Sequence, residues 1–397
     1  MRALQGLPGR DTTETHRVST PLELLVDLCF VVAVAQAASS LHHAVAEDHV
    51  SQAILGYITV FFAIWWAWMN FTWFASAYDN DSVIFRVGVF VQITGVLILA
   101  AGVPRAFNGD SLSVVILGYV VMRLGLVSLW LLASRGDPAR SRTNRRYALG
   151  ITVVQLGWVG MIWVPDSLRY YVFFALVVLE LAVPVWAERT GVTPWHAHHI
   201  AERYGLFTII VLGESILSIT VAVQVALDAG EALLDILPIA LGALLTVVAM
   251  WWMYFTQPVE EVVDHARDAR DTGPSKDPFI WGYGHYVIFA SAAAVGAGYA
   301  VAVDVAMHHA AISSRGAALA VAIPVALYVI SVWALHAQAW DKGAAKAVAT
   351  IVSALLVLGA GLVGAPVLAI GIILALTIVY FETVRRVTDT RGITVGR

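Results

Sequence analysis

Long apolar runs divided by short polar segments dominate this chain. A helix needs about 20 apolar residues to cross about 30 Å of hydrocarbon with all its backbone hydrogen bonds made internally. Runs of that kind extend approximately over 21–41, 51–75, 82–103, 111–134, 147–164, 169–188, 203–226, 233–256, 279–303, 316–338, 345–362 and 366–384. The pattern predicts an all-α membrane protein of about twelve transmembrane helices. Between the last two, Gly364, Ala365 and Pro366 form the only break.

Composition supports the pattern. Of 397 residues, 59% are hydrophobic and 13% charged, with a mean hydropathy of +0.77, where a soluble domain carries about 25% charged residues. Single hydrophobic cores stop growing near about 250 to 300 residues, so the apolar surplus must face lipid. A secreted disulfide scaffold, a disordered chain and a nucleic-acid binder resting on a basic patch are all excluded. Net charge is −4 and Cys29 is alone, so no intrachain disulfide forms and cysteine-based metal ligation is not expected.

Basic residues give the orientation, because positively charged loops stay in the cytoplasm. With both ends inside, nineteen of the 24 Lys and Arg fall in cytoplasmic segments, among them Arg135, Arg140, Arg142, Arg145 and Arg146. Arg105, Arg169 and Arg315 fall outside, and Arg86 and Arg123 lie within helices. The expected organisation is a cytoplasmic tail over 1–20, a six-helix half over 21–188, a His-rich connector over 189–202, a second half over 203–384 and a cytoplasmic tail over 385–397. The first run is too long and too acidic, with Glu23 and Asp27, for a cleaved signal peptide.

The halves share a pattern. Phe62-Ala63-Ile64-Trp65-Trp66-Ala67-Trp68 aligns with Val248-Ala249-Met250-Trp251-Trp252-Met253-Tyr254 at an offset of 186, and Val127-Ser128-Leu129-Trp130 with Ile330-Ser331-Val332-Trp333 at 203. Between them Arg86 would fall against His285, and the loop over 257–278 supplies the insertion. Two parallel six-helix repeats are one reading. Trp pairs marking the membrane interface are the other.

Charged groups inside the bilayer are costly and mark function. Glu23, Asp27, Arg86, Glu202 and Arg203 lie within about two turns of the cytoplasmic face, where they read as an ion-pair layer. Arg123, Glu180 and Glu214 lie near mid-bilayer at about 1.5 Å per residue. One arginine for two glutamates leaves a carboxylate free to carry a proton or to serve as a protonated hydrogen-bond donor. Pro184, one turn past Glu180, frees a backbone carbonyl there. Asn70, Gln92 and Gln155 read as helix-to-helix hydrogen bonds. Gly282, Gly284, Gly296 and Gly298 read as a packing seam or a bend. The aromatic stripes of the second and eighth helices read as packing and interface anchors.

The segment Trp195-His196-Ala197-His198-His199 offers weak metal candidates in His196, His198 and His199. The other histidine pairs, His42-His43 and His308-His309, fall on the opposite face, so no metal and no cofactor is expected. The following run, His198-His199-Ile200-Ala201-Glu202-Arg203-Tyr204-Gly205-Leu206-Phe207-Thr208-Ile209-Ile210-Val211-Leu212-Gly213-Glu214-Ser215, resembles the signature of the bacterial low-temperature-requirement A (LtrA) membrane proteins. Pro21 through Val31 is similar to that family's first-helix motif, with Leu24 and Leu25 where aromatic residues are usual. The resemblance implies a polytopic protein of the bacterial cytoplasmic membrane with a cold-growth association. It supplies no catalytic or binding residues.

A secondary transporter or permease fits these features best, its partners being the bilayer and an unidentified small solute, with proton coupling through Glu214 or Glu180. An enzyme acting on lipid through the His-rich segment is the alternative, as is a non-transporting membrane factor docking through 257–278. No Gly-x4-Gly-Lys-Ser/Thr loop for nucleotide-driven pumping is present.

Overall fold

The computed structural model describes residues 6–11, 14, 17–230, 233–256, 277–337 and 344–395. Most of the loop read over 257–278, with Arg267, Arg270 and Lys276, lies outside the described residues, as does Lys342.

Among the described residues the chain forms helices and no strands. The helices are α1 (Pro21–Ala46), α2 (Val50–Tyr78), α3 (Val83–Phe107), α4 (Ser113–Gly136), α5 (Ser141–Gly160), α6 (Asp166–Ala187), α7 (Ala197–Asp228), α8 (Leu233–Phe255), α9 (Asp277–Ala306), α10 (Ser314–Ala337), α11 (Ala344–Gly359) and α12 (Pro366–Val395). Eleven of these are long and apolar enough to cross a membrane, and α5 is the exception. Its cause is local: Arg142, Arg145 and Arg146 crowd the first half of α5, while the apolar end passes into a 3-10 turn over Met161–Trp163. The connector read over 189–202 is shorter than expected, because α7 begins at Ala197 and takes His198, His199 and Glu202 into its first turns.

The chain folds as two compact units. The first holds residues 1–40 and 55–207. Local signals start its helices where they do. Thr20 and Glu23 form a capping box, the Glu23 amide donating to Thr20 Oγ1 at 3.3 Å and the Thr20 amide to Glu23 Oε2 at 2.7 Å. Ser82 caps α3 by accepting from the Phe85 amide at 3.3 Å. Here α3 packs on α4, α4 on α5 and α5 on α6. The α3–α4 pair approaches backbone to backbone, since a Cβ at Gly95 would lie 2.6 Å from the Gly118 carbonyl oxygen. Trp130 stacks on Tyr147 at 4.2 Å, and Tyr119 lies 6.3 Å from Trp158. Both contacts have the same antiparallel register of α4 and α5, which sets Arg123 level with Val154 and Gln155.

The second unit holds residues 41–54 and 208–397. Its centre is α9, whose apolar window is 83% buried. Ser215 of α7 donates to the Ala292 carbonyl of α9 at 2.9 Å. A Cβ at Gly298 would lie 2.5 Å from the Ala320 carbonyl oxygen of α10, so the glycines at 296 and 298 serve as a packing seam. Against α9 sits the end of α1, where His42 Nε2 lies 2.6 Å from Asp304. The remaining helices of this unit pack α8 on α12 and α10 on α11.

Candidate functional site

Two polar clusters lie inside the first unit. The first is built on the opening turns of α1 and α7. Asp27 accepts from Arg203 through two contacts, Nη1 to Oδ2 at 2.7 Å and Nη2 to Oδ1 at 2.5 Å, and Trp68 Nε1 donates to Asp27 Oδ1 at 2.8 Å. One turn earlier, His199 Nε2 lies 3.1 Å from Glu23 Oε1. Glu23, Asp27, His199 and Arg203 are fully shut off from solvent. Charges there need partners: Arg203 pairs with Asp27, and Glu23 is held by the His199 ring and by Arg17 at 3.5 Å.

The N-terminal segment closes this cluster. Arg17 donates to the Ala75 carbonyl at 2.8 Å and to that of Ser76, capping the last turn of α2, and reaches Glu23 at 3.5 Å. Burial pushes the Arg17 guanidinium down to about 10, against the opposing pull of Glu23. Glu202 accepts from the Ser19 amide at 3.2 Å. His196 Nε2 contacts the Glu14 carbonyl at 2.5 Å, and the Ser76 hydroxyl accepts from the His196 amide at 3.0 Å. The histidines thus hold the N-terminal segment and α1 in place, and no group of three His, Cys, Asp or Glu suited to a metal occurs among the described residues.

Arg86 does not belong to this layer. It sits in the first turn of α3, half exposed, and Asp81 of the preceding loop captures it at 2.9 and 2.7 Å. The short α2–α3 connection supplies a carboxylate nearer than any in the layer.

The second cluster lies deeper and joins four helices. Glu180 of α6 accepts from Trp66 Nε1 of α2 at 2.7 Å, from Trp158 Nε1 of α5 at 3.0 Å and from Arg123 Nη2 of α4 at 3.3 Å. Arg123 lies over the Tyr119 ring at 4.9 Å and donates to its hydroxyl at 3.4 Å. Arg123 is 3% exposed and Glu180 1%. Two indoles and a guanidinium therefore surround one carboxylate, with Pro184 buried one turn on.

Glu214 belongs to the second unit, where it is half buried and Ser218 donates to it at 3.3 Å. Asn70 and Gln92 turn back on their own helices, to the carbonyls of Trp66 and Gly88 at 2.7 and 3.5 Å. Gln155 is buried, and neither its amide oxygen nor its nitrogen has a partner among the described residues.

Beside the second cluster is a cavity of about 90 Å³ within the first unit. Gly56, Val60 and Ala63 of α2 and Ile116 of α4 form apolar walls, Tyr119, Trp158 and Phe173 add aromatic ones, and Arg169 also lines it. Tyr119 and Trp158 both line the cavity and bond the Arg123–Glu180 pair.

Sequence reasoning missed Arg17, His199 as the hydrogen-bond partner of Glu23, and the aromatic donors. Trp65, Trp66 and Trp68 are buried, whereas Trp251 and Trp252 of α8 are exposed. The available signal was chemical: a buried indole N–H seeks an acceptor, and acidic groups stood on neighbouring helices.

A profile of the family described as bacterial low temperature requirement A protein (LtrA) matches residues 18–381. An uncharacterized protein of Rhizobium meliloti (strain 1021) is 29% identical over 289 residues, covering 70% of this chain and 68% of that protein. Glu23, Asp27, His199, Arg203 and the second cluster fall inside the span matched by the family profile, and Arg17 lies just before it. The chain belongs to the bacterial low temperature requirement A (LtrA) family of membrane proteins.

Proposed function

We propose that this protein is a proton-coupled secondary transporter of the bacterial cytoplasmic membrane, built from two parallel six-helix halves with both termini inside. The observation that carries the reading is the Arg123–Glu180 pair, buried at mid-helix and separated from a cavity by Tyr119 and Trp158. An intramembrane ion pair beside a cavity is the arrangement expected where a polar solute or a proton passes. Glu180 is the favoured proton carrier; Glu214 of the second unit, which lacks a cationic partner among the described residues, is the second candidate.

Topology supports twelve crossings rather than eleven. Glu23–His199 and Asp27–Arg203 both span 176 residues and lie one turn apart, so the first turns of α1 and α7 run in the same direction. A parallel α7 requires an even number of crossings before it. Six are supplied only if α5 crosses too, its arginine-rich start at the face where α1 and α7 begin. The tight pairs α3–α4, at Gly95, and α9–α10, at Gly298, stand at the offset of 203 and support duplication. The contrast between buried Trp65 and exposed Trp251 weighs against it.

The test is uptake into proteoliposomes with an inside-alkaline gradient, using a panel of small organic anions and neutral solutes. At least one solute should accumulate with the wild type and not with Glu180→Gln. A panel that moves with neither protein, or equally with both, contradicts the reading.

A further inference from the structure

We infer that the site around Arg123 binds a short-chain aliphatic carboxylate, its chain in the cavity and its carboxylate reaching Arg123 and Gln155 between Tyr119 and Trp158, the two side chains that wall the cavity from them. This inference rests on the transporter reading of the same site and names its substrate class. Three observations converge on it.

The first is unsatisfied donors. Among the described residues only Nη2 of Arg123 has hydrogen-bond partners, although the residue is 3% exposed. A guanidinium offers five N–H groups in a planar fork suited to a carboxylate. The second is Gln155, 8% exposed, with both amide atoms unpartnered and level with Arg123 by the α4–α5 register. Buried polar atoms are normally satisfied, so a cluster of unsatisfied ones marks the place of a polar guest. The third is the cavity, which Tyr119 and Trp158 share with the ion pair. Its volume of about 90 Å³ is below the about 150 Å³ of an apolar cavity that accepts benzene. It therefore suits a short aliphatic chain better than an aromatic ring. Arg169, also on its lining, is already paired with Asp166, which leaves Arg123 and Gln155 as the groups for the carboxylate.

Binding carries a proton. The titratable groups facing Glu180 are Arg123 and Tyr119 of α4, while α2 and α5 contribute the neutral indoles of Trp66 and Trp158. Two carboxylates on one guanidinium would leave an uncompensated buried anion. When the substrate carboxylate takes Arg123, Glu180 takes one proton from water, and the site stays neutral. One anion and one proton move together, and release reverses both.

The test is titration of the full-length protein in detergent with sodium butanoate and sodium 3-methylbutanoate, following heat and proton uptake. Saturable binding with one proton taken up per anion is expected. Glu180→Gln should bind without proton uptake. Arg123→Gln and Gln155→Leu should each weaken binding about tenfold or more, and Gln155→Leu should also unfold at a higher temperature than the wild type. Ala63→Phe, which fills the cavity and whose folding is checked by its unfolding temperature, should abolish binding. Acetate and hexadecanoate should bind about tenfold more weakly than 3-methylbutanoate; equal or tighter binding of hexadecanoate would make the ligand a lipid and overturn the assignment. Absence of saturable binding, or binding unchanged in Arg123→Gln, overturns it as well. Binding with proton uptake but no gradient-driven uptake into vesicles would uphold the ligand and remove the carrier reading. Uptake of other solutes without carboxylate binding would do the reverse.

Discussion

Asp27 and Arg203 form a two-pronged ion pair with both side chains closed to solvent, and the Trp68 indole adds a third donor to the same carboxylate. The pair joins the first turns of α1 and α7, so it holds together two helices separated by five others in the chain. Breaking one side of a buried pair leaves a bare charge, which costs about 3–5 kcal/mol. Arg203→Met should therefore lower the unfolding temperature sharply in detergent, while Asp27→Leu with Arg203→Met together should recover most of the loss. Equal losses in the single and double variants would show that the pair is not what matters.

Trp68→Phe tests the third donor alone. It keeps the ring among its neighbours, including Phe207 at 4.3 Å, and removes only the N–H. A loss of about 1–3 kcal/mol is expected from the unsatisfied carboxylate oxygen. Urea unfolding followed by Trp fluorescence would measure it.

The α3–α4 contact makes a steric prediction. Gly95→Ala places a methyl 2.6 Å from the Gly118 carbonyl oxygen, and overpacking of this kind costs about 1–3 kcal/mol. Gly298→Ala, 2.5 Å from the Ala320 carbonyl oxygen, should behave alike. Gly213→Ala meets open space and should be neutral or slightly stabilising, through helix propensity. Thermal melts of the three variants separate close approach from a general effect of the methyl group.

Asp79, just beyond α2, gives a pH dependence. Burial holds its carboxyl above the usual range, against the Asp81 backbone N–H and the charges of Arg17 and Arg10. A raised folded-state value means that the folded protein binds more protons than the unfolded chain between the two values. Stability from this group is full below the ordinary aspartate range and is lost as pH rises through the raised value. Asp79→Asn keeps an acceptor for Asp81 and removes the titration. It should be more stable than the wild type at pH 7 and lose that advantage on acidification, in melts taken across the acid range.

Much of the fold was legible because lipid imposes a length rule on apolar runs. The boundaries of α1, α3 and α8 follow it closely. The rule misplaced the start of α5, where Arg142, Arg145 and Arg146 occupy the first half of the helix itself, and of α7, whose polar first turns look like a connector until Asp27 and Glu23 are placed against them. For the candidate site, depth counted in residues identified Arg123 and Glu180, since mid-helix charge has few explanations. It could not separate Glu214 from them, because depth says nothing about which helices are neighbours. Nor could it place Arg86, whose partner Asp81 is a loop residue. The aromatic donors were hidden for another reason: an indole fills space and donates a proton at once, and the pattern of apolar positions records only the first.

The most direct test of the central claim asks whether the cavity beside Arg123 and Glu180 opens in turn to both sides of the membrane. Cys29 is the single cysteine, so Cys29→Ser with Ala63→Cys places one thiol in the cavity wall. A membrane-impermeant maleimide is then applied to right-side-out and inside-out vesicles. Modification from either side, at different rates but to completion, is the predicted result. A thiol that reacts from one side only, under every gradient and solute condition, would contradict transport through this site.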